Sequence, residues 1–302
     1  MTANGAPVII EAAINGGTPR SRNPHVPRTP AEVAKEALRC MEAGAAIVHN
    51  HTDDPVIGGS GVHDPEPYIE AWRPILRERP DALLYPTMAG GGPHVTIEQR
   101  YSHVVTLAEA GLLAQGLVDP GSTNFGGLDE EGLPRPVDVV YQNTYRDARY
   151  MVETCERLGV GMSISIFEPG FLRFVLAYHR AGRLPRGAMV KLYFGSGALS
   201  FGLPPTLPSL EAYLAMLEGT GLPWLVSAHA GGDVVGCGLA RHALERGGHV
   251  QVGIEPFGGD RTPKNVELIE EAVALAADLG RPIATPDEAA AILDLPSRPS
   301  PR

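Results

Sequence analysis

The chain of 302 residues carries 35 Asp and Glu against 25 Lys and Arg, a formal net charge of -10, with 43% hydrophobic and 20% charged residues. That acidic balance, with no Lys/Arg cluster of the kind that tracks phosphates, argues against nucleic acid as a partner. No apolar run approaches the roughly 20 residues of a membrane span and the N-terminus lacks a basic, apolar signal pattern, so the expected setting is the cytoplasm with no membrane partner.

Val8 to Ile14 reads as a first strand with Glu11 in its middle, a carboxylate that needs a partner if it faces a barrel interior. Asn15, Gly16 and Gly17 follow as a loop where backbone can approach a ligand closely. A proline-rich connection leads to a helix over 31–43, with Thr29 as N-cap, Glu32 in the first turn and Gly44 as stop. Ala45 to Asp54 then reads AAIVHNHTDD, an apolar run of the kind a strand buried on both faces requires, leading into His49-Asn50-His51. Alternation puts His49 and His51 on one face, where two imidazoles can reach a single Zn, Fe, Ni or Cu ion, with Asp53 or Asp54 orienting a ligand from behind. The other reading of these histidines is a hydrogen-bonded pair at the mouth of the fold.

A helix over 65–79 and strand three over 82–87 precede the loop Met88-Ala89-Gly90-Gly91-Gly92, whose backbone N-H groups suit a carboxylate or phosphate but lack the Gly-Lys-Ser/Thr ending of a nucleotide loop. Thr87 or Ser122 would add a hydroxyl to that cradle. Then come a helix over 96–110, strand four over 112–119, the turn 121–127, a helix over 145–158, and strand five ending on Glu168. A helix over 171–182, strand six over 189–195, a helix over 209–219 and strand seven ending near His229 with Gly231-Gly232 behind it follow. The helix over 233–246 leads to strand eight, ending on Glu255; helices over 263–279 and 286–293 close the fold, and the tail from 296 is expected to fray. Cys40, Cys155 and Cys237 lack any paired spacing and read as small buried residues, a catalytic thiol at Cys237 being the competing reading.

Eight strand-then-helix units in alternation predict an α/β fold, a single-domain (β/α)8 TIM barrel over 1–302. A doubly wound sheet is the runner-up, but no Gly-x-Gly-x-x-Gly turn follows strand one. Barrel sites form at strand C-terminal ends, where this chain carries Asn15, His49, His51, Thr87, Ser122, Asn124, Glu168, His229 and Glu255. Two histidines from strand two and one glutamate from strand eight make a His2Glu set that suits a catalytic zinc, because both strands flank strand one. The competing role for Glu255 is a salt bridge with Arg261, and Ser122 and Asn124 also suit a simple turn.

The segments NPHVPRTPAEVAKEA, AGAAIVHNH, GSTNFG, GGHVQVGIE and NVELIEEAVALAADLGRPIATPDEA resemble the β-keto acid cleavage enzyme family over nearly the whole length. The resemblance implies a TIM barrel, one Zn2+ per chain held by His49, His51 and Glu255, and a homotetramer or homodimer. It also implies condensation of a β-keto acid with acetyl-CoA to give acetoacetate and a new CoA thioester. By the same resemblance Ser122 matches the hydroxyl residue of the post-strand-four turn, Glu168 the strand-five glutamate and Thr87 the strand-three hydroxyl. Three positions depart from the family. Gln251 and Pro256 replace an Arg and an Asp assigned to deprotonation, and His229-Ala230-Gly231-Gly232 replaces a Gly-x-Gly-Arg turn. Thr18 stands where a representative has an acidic residue that meets its substrate's amino group, which argues against that substrate.

The leading expectation is a zinc-dependent carbon-carbon lyase or acyl-transferring enzyme acting on a small β-keto acid. The alternatives are a zinc hydrolase or retro-aldol lyase without CoA, and a metal-binding barrel that has lost turnover. Since neither Gln251 nor Pro256 titrates, His229 is the expected base and Glu168 the second candidate.

Overall fold

A computed structural model describes residues 5–92, 94–196, 199–229 and 232–298. In chain order the elements are β1 Ile10–Ala13, α1 Pro30–Glu42, β2 Ile47–Asn50, α2 Glu66–Glu78, β3 Leu83–Pro86, α3 Ile97–Arg100, α4 Ser102–Glu109, β4 Gln115–Val118, β5 Thr123–Asn124, β6 Val140–Tyr141, α5 Tyr145–Leu158, β7 Gly161–Ile166, α6 Pro169–Arg180, β8 Ala188–Ser196, β9 Leu199–Gly202, α7 Leu207–Leu217, β10 Trp224–His229, α8 Leu239–Glu245, β11 His249–Val252, α9 Asn265–Asp278 and α10 Pro286–Ile292.

Eight of the strands form one parallel sheet in the order β3-β2-β1-β11-β10-β8-β7-β4. The end strands approach each other, where Ala114 N donates to the Leu84 carbonyl at 3.1 Å, so the sheet curls into a nearly closed barrel. This is the expected (β/α)8 architecture. The strands read as unbroken apolar runs because both of their faces are covered, one by helices and the other by the barrel interior; β1, β2, β3, β4 and β11 are buried throughout.

Local signals set many boundaries. Thr29, Thr96, Thr144 and Thr285 each close a capping box ahead of α1, α3, α5 and α10, satisfying N-H groups that a helix start leaves open. Other expectations change. The helix expected over 96–110 breaks at Tyr101, which leaves helical geometry (φ -100, ψ 1), and the one expected from 233 begins only at Leu239 after a glycine-rich turn. Two hairpins were not expected: β5 pairs with β6, and β9 folds back on β8. Each strand is short and lacks periodicity of its own. Cys40 and Cys155 are buried as expected, but Cys237 is exposed because it sits in the turn ahead of α8. Of the tail, Arg298 donates to the carbonyls of Pro80 and Ala82, while residues 299–302 lie outside the described range. No described helix is long and apolar enough to cross a membrane.

Candidate metal centre and its cavity

His49 lies on β2 and His51 just beyond it, their ring centroids 5.0 Å apart. Glu255 arrives from the far side of β1, three residues past β11, because Glu255 N donates to the Ala13 carbonyl at 3.2 Å. Gly253 takes φ +131 at that bend, and a Cβ there would strike the Ala13 backbone. The carboxylate meets both rings, with His51 Nε2 3.2 Å from Oε1 and His49 Nε2 3.5 Å from Oε2. All three are the ligand-bearing residues of a single group whose candidate donor atoms lie within 4.8 Å of one another.

The chemistry of this donor set fits a cation. His49 Nδ1 lies 3.2 Å from the Tyr85 carbonyl, which only accepts, so the ring proton sits on Nδ1 and Nε2 presents a lone pair to Glu255. His51 Nε2 and Glu255 Oε2 are buried without a hydrogen-bond partner among the described residues. Burial pushes the His49 imidazole down to about 3, keeping it neutral. Burial pushes the Glu255 carboxyl up, but the His51 and His49 imidazoles outweigh it and hold the group well below the usual carboxylate range. A neutral His49 nitrogen facing an ionised carboxylate, with a second imidazole beside them, is an arrangement that a divalent ion resolves.

The groups that orient these ligands are not the expected aspartates. Asp53 faces Arg28 at 3.7 Å and Asp54 binds Ser60. Instead the Tyr85 carbonyl fixes His49, whose ring stacks on Tyr85 at 4.4 Å, and Asn15 brackets the backbone of His51. Asn15 therefore lies behind the triad, holding the His51 backbone, and does not line the cavity. Arg261 binds Glu271 and Asp233 rather than Glu255.

The triad forms one wall of an open cavity of about 1330 Å³ at the C-terminal mouth of the barrel. Thr87 and His229 also line it. His229 is buried against Tyr193, ring centroids 4.1 Å apart, with Nε2 unpartnered among the described residues and its pKa pushed down to about 4 by burial. The remaining expected residues fall elsewhere. Glu168 accepts from Thr123 Oγ1 at 2.8 Å and Gly202 N at 3.0 Å, tying β5 to β9, and Ser122 exchanges hydrogen bonds with the Asn143 backbone. Asn124 is exposed on β5. Gly90 packs on the Val56 carbonyl and Gly91 on Arg100, so of the 88–92 loop only Met88 reaches the cavity. Gly231 lies outside the described residues.

Lys191 and Asp119 line the cavity but were not among the expected site residues. Beneath the cavity, Glu11 accepts from Tyr85 OH and from Gln251 Nε2 at 2.5 Å, while Lys191, which lines it, donates from Nζ to Tyr85 OH at 2.8 Å and lies 3.8 Å from Glu11. Glu11 thus has the partner its burial demands. Asp119 ends the run LLAQGLVD one residue past β4, the same strand-end position that singled out Glu168 and Glu255, and that signal was available. Its Oδ2 accepts from Tyr141 OH at 2.5 Å, and burial raises its pKa.

Residues 7–295 match the family described as beta-keto acid cleavage enzyme. The chain is 30% identical over 302 residues to a 3-keto-5-aminohexanoate cleavage enzyme of Fusobacterium nucleatum, covering 95% of this chain and 98% of that one. It is 28% identical over 316 residues to a 3-dehydrocarnitine:acetyl-CoA trimethylamine transferase of Rhizobium meliloti, covering 96% and 97%. Among solved structures the fold resembles apo ObcA, with a TM-score of 0.66 at 16% identity over 91% of this chain and 66% of that chain. With the family matched over nearly its full length on the expected barrel, the chain belongs to the beta-keto acid cleavage enzyme family.

Proposed function

We propose that this enzyme exchanges the acyl group of a small β-keto acid with acetyl-CoA, in a reaction that depends on zinc held by His49, His51 and Glu255. The observation that carries the reading is the convergence of two imidazoles, His49 held neutral by burial, and the ionised Glu255 carboxylate on the wall of a cavity of about 1330 Å³. Written with its atoms, R-CO-CH2-COO⁻ and CH3-CO-SCoA become CH3-CO-CH2-COO⁻ and R-CO-SCoA. The bond from R-CO to the CH2 group breaks and one from that CH2 to the acetyl carbonyl forms, while the CoA sulfur leaves the acetyl carbon and bonds to the R-CO carbon. Bound zinc supplies Lewis acidity at the keto oxygen. The protein holds its ligands rigid through Asn15 and Tyr85, and His229, neutral with a free Nε2, accepts and returns the proton. Thr87 offers a hydroxyl on the same wall. Glu168, Ser122 and Asn124 serve this reading indirectly, by shaping the loops over the mouth.

The test is release of acetoacetate by the zinc-loaded protein with and without acetyl-CoA. Release that requires acetyl-CoA, and stops when a chelator removes the metal, supports the reading. Cleavage that proceeds without acetyl-CoA overturns the transfer and leaves the retro-aldol or hydrolytic alternative.

A further inference from the structure

The metal triad occupies one wall of the cavity, and the wall facing it is built from different chemistry. In the ring of eight strands β4 lies four strands from β11 in either direction, so the segment after β4 faces the Glu255 side across the mouth. That far wall is aromatic. Phe125 stacks on Tyr141 (centroids 5.3 Å apart, 4° between planes) and meets Phe167 at 5.3 Å and Phe201 at 5.8 Å, and all four rings line the cavity. Phe167 and Phe201 in turn sit edge to face at 5.1 Å. Leu117 and Leu199 extend the apolar surface.

We propose that this wall is the subsite for the variable group of the keto acid, and that it selects a large neutral apolar group, an aryl ring above all. The inference rests on the reading of the site as a β-keto acid enzyme and names the substrate class that reading leaves open. A substrate whose keto and carboxylate ends lie at the metal wall extends its remaining group toward the opposite side. There a ring finds edge and face partners already in place, an arrangement worth roughly 1 kcal/mol per aromatic pair beyond area burial. These rings hold one another in position, so little ordering is required when a ligand arrives.

A charged substituent fits less well. Of the other charges lining the cavity, Arg20, Arg22, Arg28, Asp53 and Asp54 come from the loops after β1 and β2, and neither of those acids belongs to the aromatic segments. The one acid on the far wall, Asp119, is held by Tyr141, and burial favours its neutral form. On the β1 side Thr18 spends its hydroxyl on the Ile254 carbonyl at 3.2 Å and presents no charge. An anionic substituent would meet no cation on the aromatic wall, since Lys191 is committed to Tyr85 and Glu11 on the floor.

The experiment uses zinc-loaded protein with acetyl-CoA and four keto acids: 3-oxo-3-phenylpropanoate, 3-oxohexanoate, 5-amino-3-oxohexanoate and 3-oxoadipate. The phenyl substrate is expected to exceed each of the others by about 10-fold or more in kcat/KM, a margin within reach of a hydrophobic pocket. Phe201→Ala should cut its advantage over 3-oxohexanoate by about 10-fold; Phe125→Leu is the second variant should the first not fold. A higher kcat/KM for the amino or dicarboxylic substrate overturns the proposal, as does an unchanged ratio in a folded variant. Calorimetric binding of 3-phenylpropanoate, hexanoate, 5-aminopentanoate and hexanedioate separates this inference from the reaction. If no keto acid is turned over yet phenylpropanoate binds tightest and Phe201→Ala removes that preference, the cleavage reading fails and the subsite stands. If cleavage occurs with no preference for the aryl acid, the subsite fails alone.

Discussion

Asn15 and His51 are joined twice, the Asn15 carbonyl oxygen accepting from His51 N at 2.8 Å and its amide donating to the His51 carbonyl at 3.0 Å. A side chain from the end of β1 thus fixes the backbone of a candidate metal ligand that has already left β2. The same amide also donates to the Pro27 carbonyl, so one buried residue anchors two loops.

Asn15→Ala leaves four buried backbone groups, Pro27 O, His51 O, His51 N and Gly16 N, without their partner and should destabilise the protein by about 2–4 kcal/mol in urea titration. Zinc affinity, measured by competition with a chromophoric chelator, should fall roughly 10–100-fold while His49, Glu255 and the barrel persist. Unchanged affinity would show that His51 is oriented by something else.

Gly16 takes φ +53, and a Cβ placed there would overlap the Glu255 side chain. Gly16→Ala should therefore displace the carboxylate and lower zinc content in elemental analysis. Gly17→Ala, which meets nothing within 4 Å, should leave it alone. Equal zinc content in both variants would remove Glu255 from the ligand set.

The pH dependence of stability has a structural source away from the site. His249 Nδ1 accepts from Ile9 N at 3.1 Å across the β1-β11 seam, and burial with the nearby Arg281 charge pushes its pKa down to about 3. The folded protein keeps this ring neutral while the unfolded chain protonates it near the usual 6.5. Its contribution is thus fully present above that value and is lost as pH falls toward about 3. From this group alone the metal-free protein should lose about 2 kcal/mol between pH 7 and pH 5. His249→Asn, which keeps an acceptor but cannot titrate, should flatten that part of the pH-stability curve; an unaltered curve would refute the assignment.

Lys191, which lines the cavity, and Glu11 beneath it are both fully buried. Removing one partner strands the other, so Lys191→Met should cost about 3–5 kcal/mol in chemical denaturation. Glu11→Gln combined with Lys191→Met should recover most of the loss. Additive losses in the double variant would mean that the two charges do not depend on each other.

What the sequence determined by itself was whatever depends on neighbours along the chain. Apolar runs of strand length, threonine caps three residues ahead of an acid or amide, and the spacing of His49 and His51 are local, and from them followed eight strand-helix units, the barrel and two candidate ligands. Glu255 was legible too, because the closure of a barrel places strand eight beside strand one, where it can reach strand two. Tertiary structure decided what depends on direction and distance across the barrel. Glu168 and Asp119 each end an apolar run in the sequence, yet Glu168 turns away to Thr123 and Gly202 while Asp119 lines the cavity. The register between β4 and β7 separates them: Val118 pairs with Ile164, so Asp119 continues level with Ser165, which lines the cavity, whereas Glu168 follows the cavity-lining Phe167 on the other phase of the alternation. The Met88–Gly92 loop has the composition of an anion cradle, but packing against Val56 and Arg100 draws its glycines away from the mouth. The aromatic wall gathers residues from four separate segments, and only the curl of the sheet brings them onto one surface.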